Sequence, residues 1–198
     1  GIVLSPVLGP AKAWRQALWN GATLDGNRPG DRAVMRVWGI TQTGQRVLAA
    51  TLNQQTASQS LATLNAATYP FVQLEMENTD SINATSWNMR WWRVYYDPAP
   101  EGALAPNLLL NTKDTLQQGE TLDFRIAFKN ISDTDFDSLK IRYTITDRNN
   151  VTHESIQRRR PLPKGDTLVI SYPVNTTQYP GVNTVYIAVN PDNDQPEQ

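Results

Sequence analysis

The sequence predicts an all-β protein built from two tandem antiparallel β-sandwiches, the first jelly-roll-like and the second immunoglobulin-like. Three observations support this prediction. Apolar and polar residues alternate at period two over several short runs, and clusters of Gly, Pro, Asn and Asp separate these runs. Long runs rich in Ala, Glu, Lys and Leu, which are typical of helices, are scarce.

The first half of the chain contains several runs with strand periodicity. In segment 71–78, Val72, Leu74 and Met76 alternate with polar residues, which predicts a strand with one apolar face. Segment 33–40 alternates in the same way. Segment 13–21 fits both strand and helical spacing, and we favour a strand.

The second half is more regular, and a proline-rich stretch precedes it. Segments 122–130 and 138–147 each alternate aliphatic or aromatic residues with charged or hydroxyl residues. Segment 98–106 holds three prolines and no periodicity, which is typical of a connection between domains. The predicted organisation is therefore a sandwich at 1–97, a linker at 98–106 and a second sandwich at 107–198.

Composition narrows the possible functions. The 198 residues carry a net charge of −1, so the chain has no bulk attraction to nucleic acid or to an anionic membrane. No apolar run is long enough to insert into a bilayer. The absence of cysteine excludes disulfides, a thiol nucleophile and cysteine-bound zinc. Because the chain begins with Gly and stops after a polar turn, we expect it to be a piece of a longer protein.

Segment 88–97 concentrates four aromatic rings, and strand periodicity divides its residues into two rows. One row is entirely apolar and is expected to face the core; it contains Trp92, Val94 and Tyr96. The other row is amphipathic; it contains Trp91, Arg93 and Tyr95. The amphipathic row has three interpretations: stacking of the arginine between the rings, contact with the second domain, or a surface that binds carbohydrate.

Two acidic clusters are candidate calcium sites, because carboxylate oxygens are the ligands that calcium prefers. The first lies in the segment SDTDFDS and comprises Asp133, Asp135 and Asp137. The second lies in NPDNDQPE and includes Asp192 and Asp194. The first cluster lacks the Gly and the distal Glu of a helical calcium loop, so a solvated turn is the alternative interpretation of each cluster. No other cofactor is predicted.

The sequence carries no catalytic signature. Glu75 and Glu77 lie two residues apart on the polar side of a predicted strand, which is typical of a solvated face. His153 is the only histidine, and no nucleophile motif accompanies it. The basic run 158–160 is short and lies in an otherwise neutral chain. We therefore predict neither an enzyme nor a nucleic-acid-binding protein.

A repeated tripeptide of Asp, then Ser or Thr, then an aliphatic residue occurs four times. Its hydroxyl positions are Ser81, Thr115, Ser138 and Thr167. The tripeptide resembles the acceptor motif for protein O-glycosylation in Bacteroidetes, which acts on exported proteins. The alternative is ordinary turn-to-strand chemistry, in which Asp caps a turn and the aliphatic residue begins a strand.

Four stretches carry a resemblance to known families: 97–107, 124–141, 160–168 and 179–198. They resemble the region beyond the catalytic domain in large Bacteroidetes surface proteins of the gingipain-like peptidase and type IX secretion kind. The second half also resembles the cell-adhesion-related sandwich domain (CARDB). The residues that match its pattern are Lys129-Asn130, Leu162-Pro163-Lys164-Gly165 and the segment from Asp192 to Glu197. Coverage extends over 106–198 and is looser over 10–97.

The resemblance implies an extracytoplasmic module without catalysis, located at the cell surface or secreted. The leading functional hypothesis is a structural and adhesion module that serves as scaffold, spacer or protein-interaction surface. Its partners would be other domains of the parent protein, and proteins or glycans at the cell surface. The alternative is a carbohydrate-binding first domain, and an enzyme is the third class.

Overall fold

The computed structural model describes residues 1–23, 30–82, 84–85 and 87–197. These residues form fourteen β-strands and no helix, so the all-β prediction is confirmed. The chain divides into two compact units, Gly1–Ala99 and Pro100–Glu197. A search for long, apolar helices able to cross a membrane finds none in the described part of the chain.

The first unit contains seven strands arranged in two antiparallel sheets. The strands are β1 (Ile2–Leu4), β2 (Ala11–Ala22), β3 (Asp31–Ile40), β4 (Arg46–Asn53), β5 (Ser58–Ser60), β6 (Phe71–Asp80) and β7 (Asn88–Pro98). One sheet has the order β1-β6-β3-β4, and the other has the order β5-β2-β7. Strands that are distant in sequence lie side by side, β1 with β6 and β2 with β7, as in a jelly-roll-like sandwich.

Strand β2 resolves the segment that fits both helical and strand spacing. Its pairing with β7 shifts register next to Lys12 and again next to Arg15, so each of these residues is an extra residue in the ladder. The buried residues are therefore spaced by three, three and two positions; they are Ala11, Trp14, Ala17 and Trp19. The apparent helical period is a strand with two β-bulges.

Two tryptophans from β2 anchor the core of the first unit. Trp14 and Trp19 are each 2% exposed. The Trp14 indole N–H donates a hydrogen bond of 2.8 Å to the carbonyl of Tyr69. The Trp19 N–H donates to the carbonyls of Asn53 and Thr56 at 3.2 and 3.1 Å. Both rings therefore bury their apolar surface without leaving the polar atom unpaired.

The second unit also contains seven strands in two antiparallel sheets. The strands are β8 (Gly102–Leu104), β9 (Leu110–Asn111), β10 (Thr121–Asn130), β11 (Leu139–Thr146), β12 (Thr152–Arg159), β13 (Thr167–Asn175) and β14 (Thr184–Val189). One sheet has the order β13-β10-β8, with the short β9 also paired to β10. The other has the order β12-β11-β14. This arrangement is that of an immunoglobulin-like sandwich.

The predicted linker 98–106 is not a free connection. Strand β7 continues to Pro98, and β8 lies within the linker segment and pairs with the end of β10. A Cβ on Gly102 would lie only 2.1 Å from the Phe128 ring. Glycine at this position therefore allows β8 to lie close to β10. The division between the two compact units falls between Ala99 and Pro100, within this segment.

The core of the second unit is centred on β11. Its alternate residues are 0–2% exposed; they are Leu139, Ile141, Tyr143 and Ile145. The Tyr143 ring stacks on Tyr172 of β13 with centroids 4.1 Å apart and an interplanar angle of 11°. The alternation predicted for 138–147 is therefore confirmed.

Asn130, at the end of β10, is a fully buried polar residue. Its amide nitrogen donates to the carbonyls of Thr134 and Leu162 at 2.8 and 3.2 Å. Its amide oxygen accepts hydrogen bonds from the backbone N–H and the hydroxyl of Ser132 at 3.0 and 2.7 Å. One side chain thus holds the 130–134 turn against the segment that contains Leu162.

Candidate binding faces

The predicted aromatic rows of β7 lie on opposite faces of the sheet β5-β2-β7. Trp92, Val94 and Tyr96 pack against the core as partly buried residues. On the outer face, the guanidinium carbon of Arg93 lies 4.7 Å from the centre of the Trp91 ring. Trp91 is half-buried, whereas Tyr95 is 50% exposed. The arginine therefore covers part of Trp91, and Tyr95 presents the more accessible ring.

Polar side chains border Tyr95 on the same outer face. In the register of the sheet, Tyr95 lies opposite Gln16 of β2, and Gln16 lies opposite Ser60 of β5. Residues opposite each other in an antiparallel ladder point to the same side. The outer face therefore aligns a phenol ring, a carboxamide and a hydroxyl in one row. An aromatic face beside neutral hydrogen-bonding groups is chemistry that suits a sugar ring.

The other sheet of the first unit carries an ion-pair network around Glu75 and Glu77. Arg36 donates to Glu75 at 2.9 Å and to Glu77 at 2.5 Å. The Trp38 indole N–H donates to Glu75 at 3.0 Å, and the Arg46 guanidinium lies 4.7 Å from the centre of the Trp38 ring. The hydrogen bond from Arg36 lowers the pKa of Glu77. Both carboxylates are thus held by cationic or N–H donors on an outer face.

The acidic cluster near the end of the chain forms ion pairs. Asp192 accepts hydrogen bonds from Lys140 and, at 2.6 Å, from Arg142. Asp194 lies 3.2 Å from the Arg158 guanidinium. The hydrogen bond from Lys140, and a weaker one from Arg142, lower the pKa of Asp192. These carboxylates are neutralised by side chains of β11 and β12, an arrangement unlike the calcium site that the sequence suggested.

The other acidic cluster, Asp133, Asp135 and Asp137, also forms contacts within the protein. The Asp135 carboxylate accepts the backbone N–H of Lys164 at 2.8 Å. The backbone N–H of Asp137 donates to the side chain of Gln195 at 2.8 Å. Within the described ranges, no three Asp, Glu or His side chains form a group able to hold a metal ion. The structure therefore gives neither acidic cluster the geometry of a calcium site.

His153 lies beside a turn and contacts an acidic residue. Its Nε2 is 3.2 Å from a carboxylate oxygen of Asp147, and its ring lies edge-on to Tyr179 at 5.3 Å. The backbone N–H of Val151 lowers the pKa of Asp147, with further contributions from His153 and the N–H of Asn149. Asp147 accordingly acts as the acceptor that closes the turn between β11 and β12.

The hydroxyl positions of the repeated tripeptide differ in accessibility. Ser81, Thr115 and Thr167 are exposed, and Ser138 is half-buried. Thr167 begins β13, and Ser138 directly precedes β11. The turn-to-strand interpretation therefore fits these two positions, while three of the four hydroxyls are accessible to a modifying enzyme.

The partly buried carboxyl of Glu197 makes the stability of the second unit depend on pH. Burial raises the pKa of this carboxyl above its ordinary value of 4.5, although the side chain of Asn190 donates to it at 2.7 Å. Because the folded-state pKa is raised, the contribution of Glu197 to stability is fully present below pH 4.5 and is lost as the pH rises through the raised pKa.

We expect the Glu197→Gln variant to lack this pH dependence. Relative to the variant, the wild-type chain should lose stability between pH 4.5 and neutral pH. Urea unfolding across this pH range measures the free energy of unfolding of both proteins. The other titrating groups are present in both, so their contributions cancel in the difference. A difference that grows in the opposite direction, with the wild type gaining stability as the pH rises, would contradict the assigned shift.

Comparisons with known proteins return structural neighbours only. The chain matches no protein-family model, and no curated protein matches it. A Bacteroides uniformis β-glucuronidase 2, covalently bound to cyclophellitol-6-carboxylate aziridine, matches with 12% identity and a TM-score of 0.30, over 95% of this chain and 24% of the enzyme. The Parabacteroides merdae β-glucuronidase with glycerol in its active site matches with 11% identity and a TM-score of 0.31, over 91% of this chain and 27% of the enzyme. The chain thus spans about a quarter of the length of these neighbours.

Proposed function

We propose that the chain is a non-catalytic structural and adhesion module of a larger exported bacterial surface protein. It acts as a scaffold, a spacer or a protein-interaction surface. The observation that supports this proposal is the pairing of outward-facing charges with one another. Arg36 holds Glu75 and Glu77 in the first unit, and Lys140 with Arg142 holds Asp192 in the second.

The pairing argues against acid–base chemistry at these carboxylates. A catalytic acid at neutral pH needs a raised pKa, which burial or a like charge in a cleft provides. The pKa values of Glu77 and Asp192 are instead lowered, because cationic donors stabilise their ionised forms. Such carboxylates suit a surface of fixed geometry rather than proton transfer.

The exported, cell-surface setting is part of the same proposal. It is supported by the resemblance of 106–198 to cell-adhesion-related sandwich domains and by the accessibility of Ser81, Thr115 and Thr167. Glycosylated hydroxyls at these positions would project into solvent without disturbing either core.

Hydrolysis assays on the purified chain test the absence of catalysis. We expect no turnover of chromogenic glycosides or fluorogenic peptides. Glu75→Gln and His153→Ala serve as matched variants, because they alter the acidic pair and the only histidine. Turnover by the wild type that one of these substitutions abolishes would overturn the proposal, whereas equal turnover in all samples would indicate a contaminant.

A carbohydrate-binding face on the first unit is the second candidate function. The observation that favours it is the 50% exposure of Tyr95 in a row with Gln16 and Ser60. Stacking on an exposed ring combined with neutral hydrogen bonds would orient a sugar without catalysis. This face would then supply the adhesive contact of the module.

A glycan array followed by calorimetry tests the second candidate. If the face binds a sugar, we expect Tyr95→Ala to weaken binding about tenfold or more while the protein stays folded. Tyr186→Ala is the matched control, because Tyr186 is 63% exposed on a strand of the second unit. Equal binding by both variants would show that the sugar does not bind at Tyr95. The absence of any signal on the array would contradict the carbohydrate-binding function and would leave the structural module as the remaining proposal.

A further inference from the structure

The sheet β5-β2-β7 of the first unit carries an excess of positive charge, although the whole chain has a net charge of −1. Its three strands contain one acidic residue, Asp97, and four basic residues. The basic residues are all exposed; they are Lys12, Arg15, Arg90 and Arg93. The strands of the other sheet of this unit contain three arginines and four carboxylates. The positive excess therefore belongs to one sheet.

The protein uses only part of this positive charge for its own contacts. The Asp97 carboxylate accepts a hydrogen bond of 3.1 Å from Nε of Arg15. This hydrogen bond lowers the pKa of Asp97, and the positive charge of Lys12 contributes in the same direction. Among the described residues, Arg93 has neither an ion-pair partner nor a side-chain hydrogen bond. An exposed guanidinium of this kind on a basic face attracts anions.

The Arg93 guanidinium is held in place by an aromatic ring. Its central carbon lies 4.7 Å from the centre of the Trp91 ring, which is the geometry of a cation–π contact. This contact leaves the N–H groups of the guanidinium available, and their planar fork matches the two oxygens of a carboxylate. Because the ring already restricts the side chain, less conformational entropy is lost when an anion binds.

The residues beside Arg93 favour a sugar as the carrier of the carboxylate. Tyr95 is 50% exposed and lies in one row with Gln16 and Ser60. Tyr95 and Arg93 are two positions apart on one strand, a separation of about 7 Å. A sugar ring that stacks on Tyr95 can therefore direct a carboxylate of the same ring towards Arg93.

We propose that this face binds an acidic polysaccharide through its uronate sugars, with one ring on Tyr95 and its carboxylate on Arg93. Gln16 and Ser60 would form neutral hydrogen bonds with the sugar hydroxyls, and Arg90 would attract the carboxylates of neighbouring sugars. This inference rests on the carbohydrate-binding function proposed above as the second candidate, and it adds the class of ligand.

Other anionic polymers fit the face less well. A single-stranded nucleic acid binds by stacking successive bases on several rings. On this face Tyr95 is the accessible ring, because Arg93 covers part of Trp91. An acidic peptide could pair with Arg93, but it has no ring to place on Tyr95 and no hydroxyls for Gln16 and Ser60. A uronate sugar uses all of these groups at once.

Calorimetry with defined oligosaccharides tests the ligand class. The probes are hexasaccharides of galacturonan, mannuronan and hyaluronan, each as the free acid and as the carboxyl methyl ester. The ester keeps the sugar chain but removes its charge. We expect at least one free acid to bind about tenfold or more tightly than its ester. Its affinity should fall as the salt concentration rises, because salt screens the pairing of exposed charges.

Variants of the two contact residues separate the ligand class from carbohydrate binding as such. We expect Arg93→Gln to weaken binding of the free acid about tenfold or more without affecting the ester, and Tyr95→Ala to weaken both. Arg93→Lys keeps the charge but loses the planar fork, so it should restore only part of the affinity. Arg148→Gln is the matched control and should bind normally, because Arg148 is an exposed arginine in a turn of the second unit. Circular dichroism checks that each variant is folded.

Three outcomes would overturn the proposal. The first is that no free acid binds up to about 1 mM. The second is that the esters bind as tightly as the acids, or that Arg93→Gln binds like Arg148→Gln. If Tyr95→Ala still abolishes binding in this second case, the ligand class is wrong but the carbohydrate-binding function stands. The third is that a glutamate hexapeptide binds as tightly as the hexasaccharides, which would show that the face recognises charge alone.

Discussion

Replacing Trp14 with alanine should lower the free energy of unfolding of the first unit by about 3–5 kcal/mol. The ring is 2% exposed, and its centroid lies 5.2 Å from that of Tyr96 on the neighbouring strand. Alanine would leave a cavity between the two sheets. It would also remove the N–H that bonds the carbonyl of Tyr69, which adds the cost of an unpaired acceptor.

Tryptophan fluorescence during urea unfolding measures this effect selectively, because all six tryptophans lie in the first unit. Trp14→Phe is the informative control: it keeps most of the ring volume but loses the hydrogen bond, so it should cost clearly less. Trp91→Ala removes a half-buried ring from the outer face and should also cost less. A loss below about 1 kcal/mol for Trp14→Ala would mean that the sheets close around the vacated space.

Replacing Asn130 with alanine should destabilise the second unit by about 2–4 kcal/mol. The amide makes four hydrogen bonds while fully buried, and alanine would leave the carbonyls of Thr134 and Leu162 without this donor. It would also leave the backbone N–H of Ser132 without its acceptor. Each buried group that loses its partner bears a desolvation penalty, because water does not replace the lost bond.

Asn175→Ala is the matched control for this residue. Asn175 is exposed, and its side chain accepts one backbone N–H, that of Thr177 at 3.0 Å, so its loss should cost well under half as much. Hydrogen exchange of second-unit amides, followed through urea, measures both variants without interference from the first unit. Equal losses for Asn130→Ala and Asn175→Ala would show that the buried network contributes no more than an ordinary turn.

The sequence predicts the fold class because strand alternation is a local property. Leu139 to Ile145 alternate in the sequence and also in burial. Strand β2 is ambiguous because β-bulges change the spacing of its inward residues, and a bulge depends on the partner strand. Strand β8, within the predicted linker, has no signal in the sequence for a related reason: it pairs with β10, which lies about twenty-five residues further along the chain.

The candidate sites were less predictable, because their chemistry depends on contacts between residues that are far apart in sequence. In the sequence, the aspartates near the end of the chain resemble calcium ligands. In the fold, Lys140 and Arg142 of β11, which lie about fifty residues earlier in the sequence, donate hydrogen bonds to Asp192. The Arg93–Trp91 stack was foreseeable, since both residues share one face of a single strand.

The irregular ladder between β2 and β7 has a consequence for solubility. Three residues are extra in this ladder, and all three are basic and exposed: Lys12 and Arg15 on β2, and Arg90 on β7. A bulge twists the strand locally, and the positive charge of Arg90 lies on the edge strand itself. Two first units that approach through their β7 edges would therefore meet a bent backbone and like charges. The irregularities that obscure the strand pattern in the sequence would thus also discourage edge-to-edge pairing of this tryptophan-rich sheet with another copy.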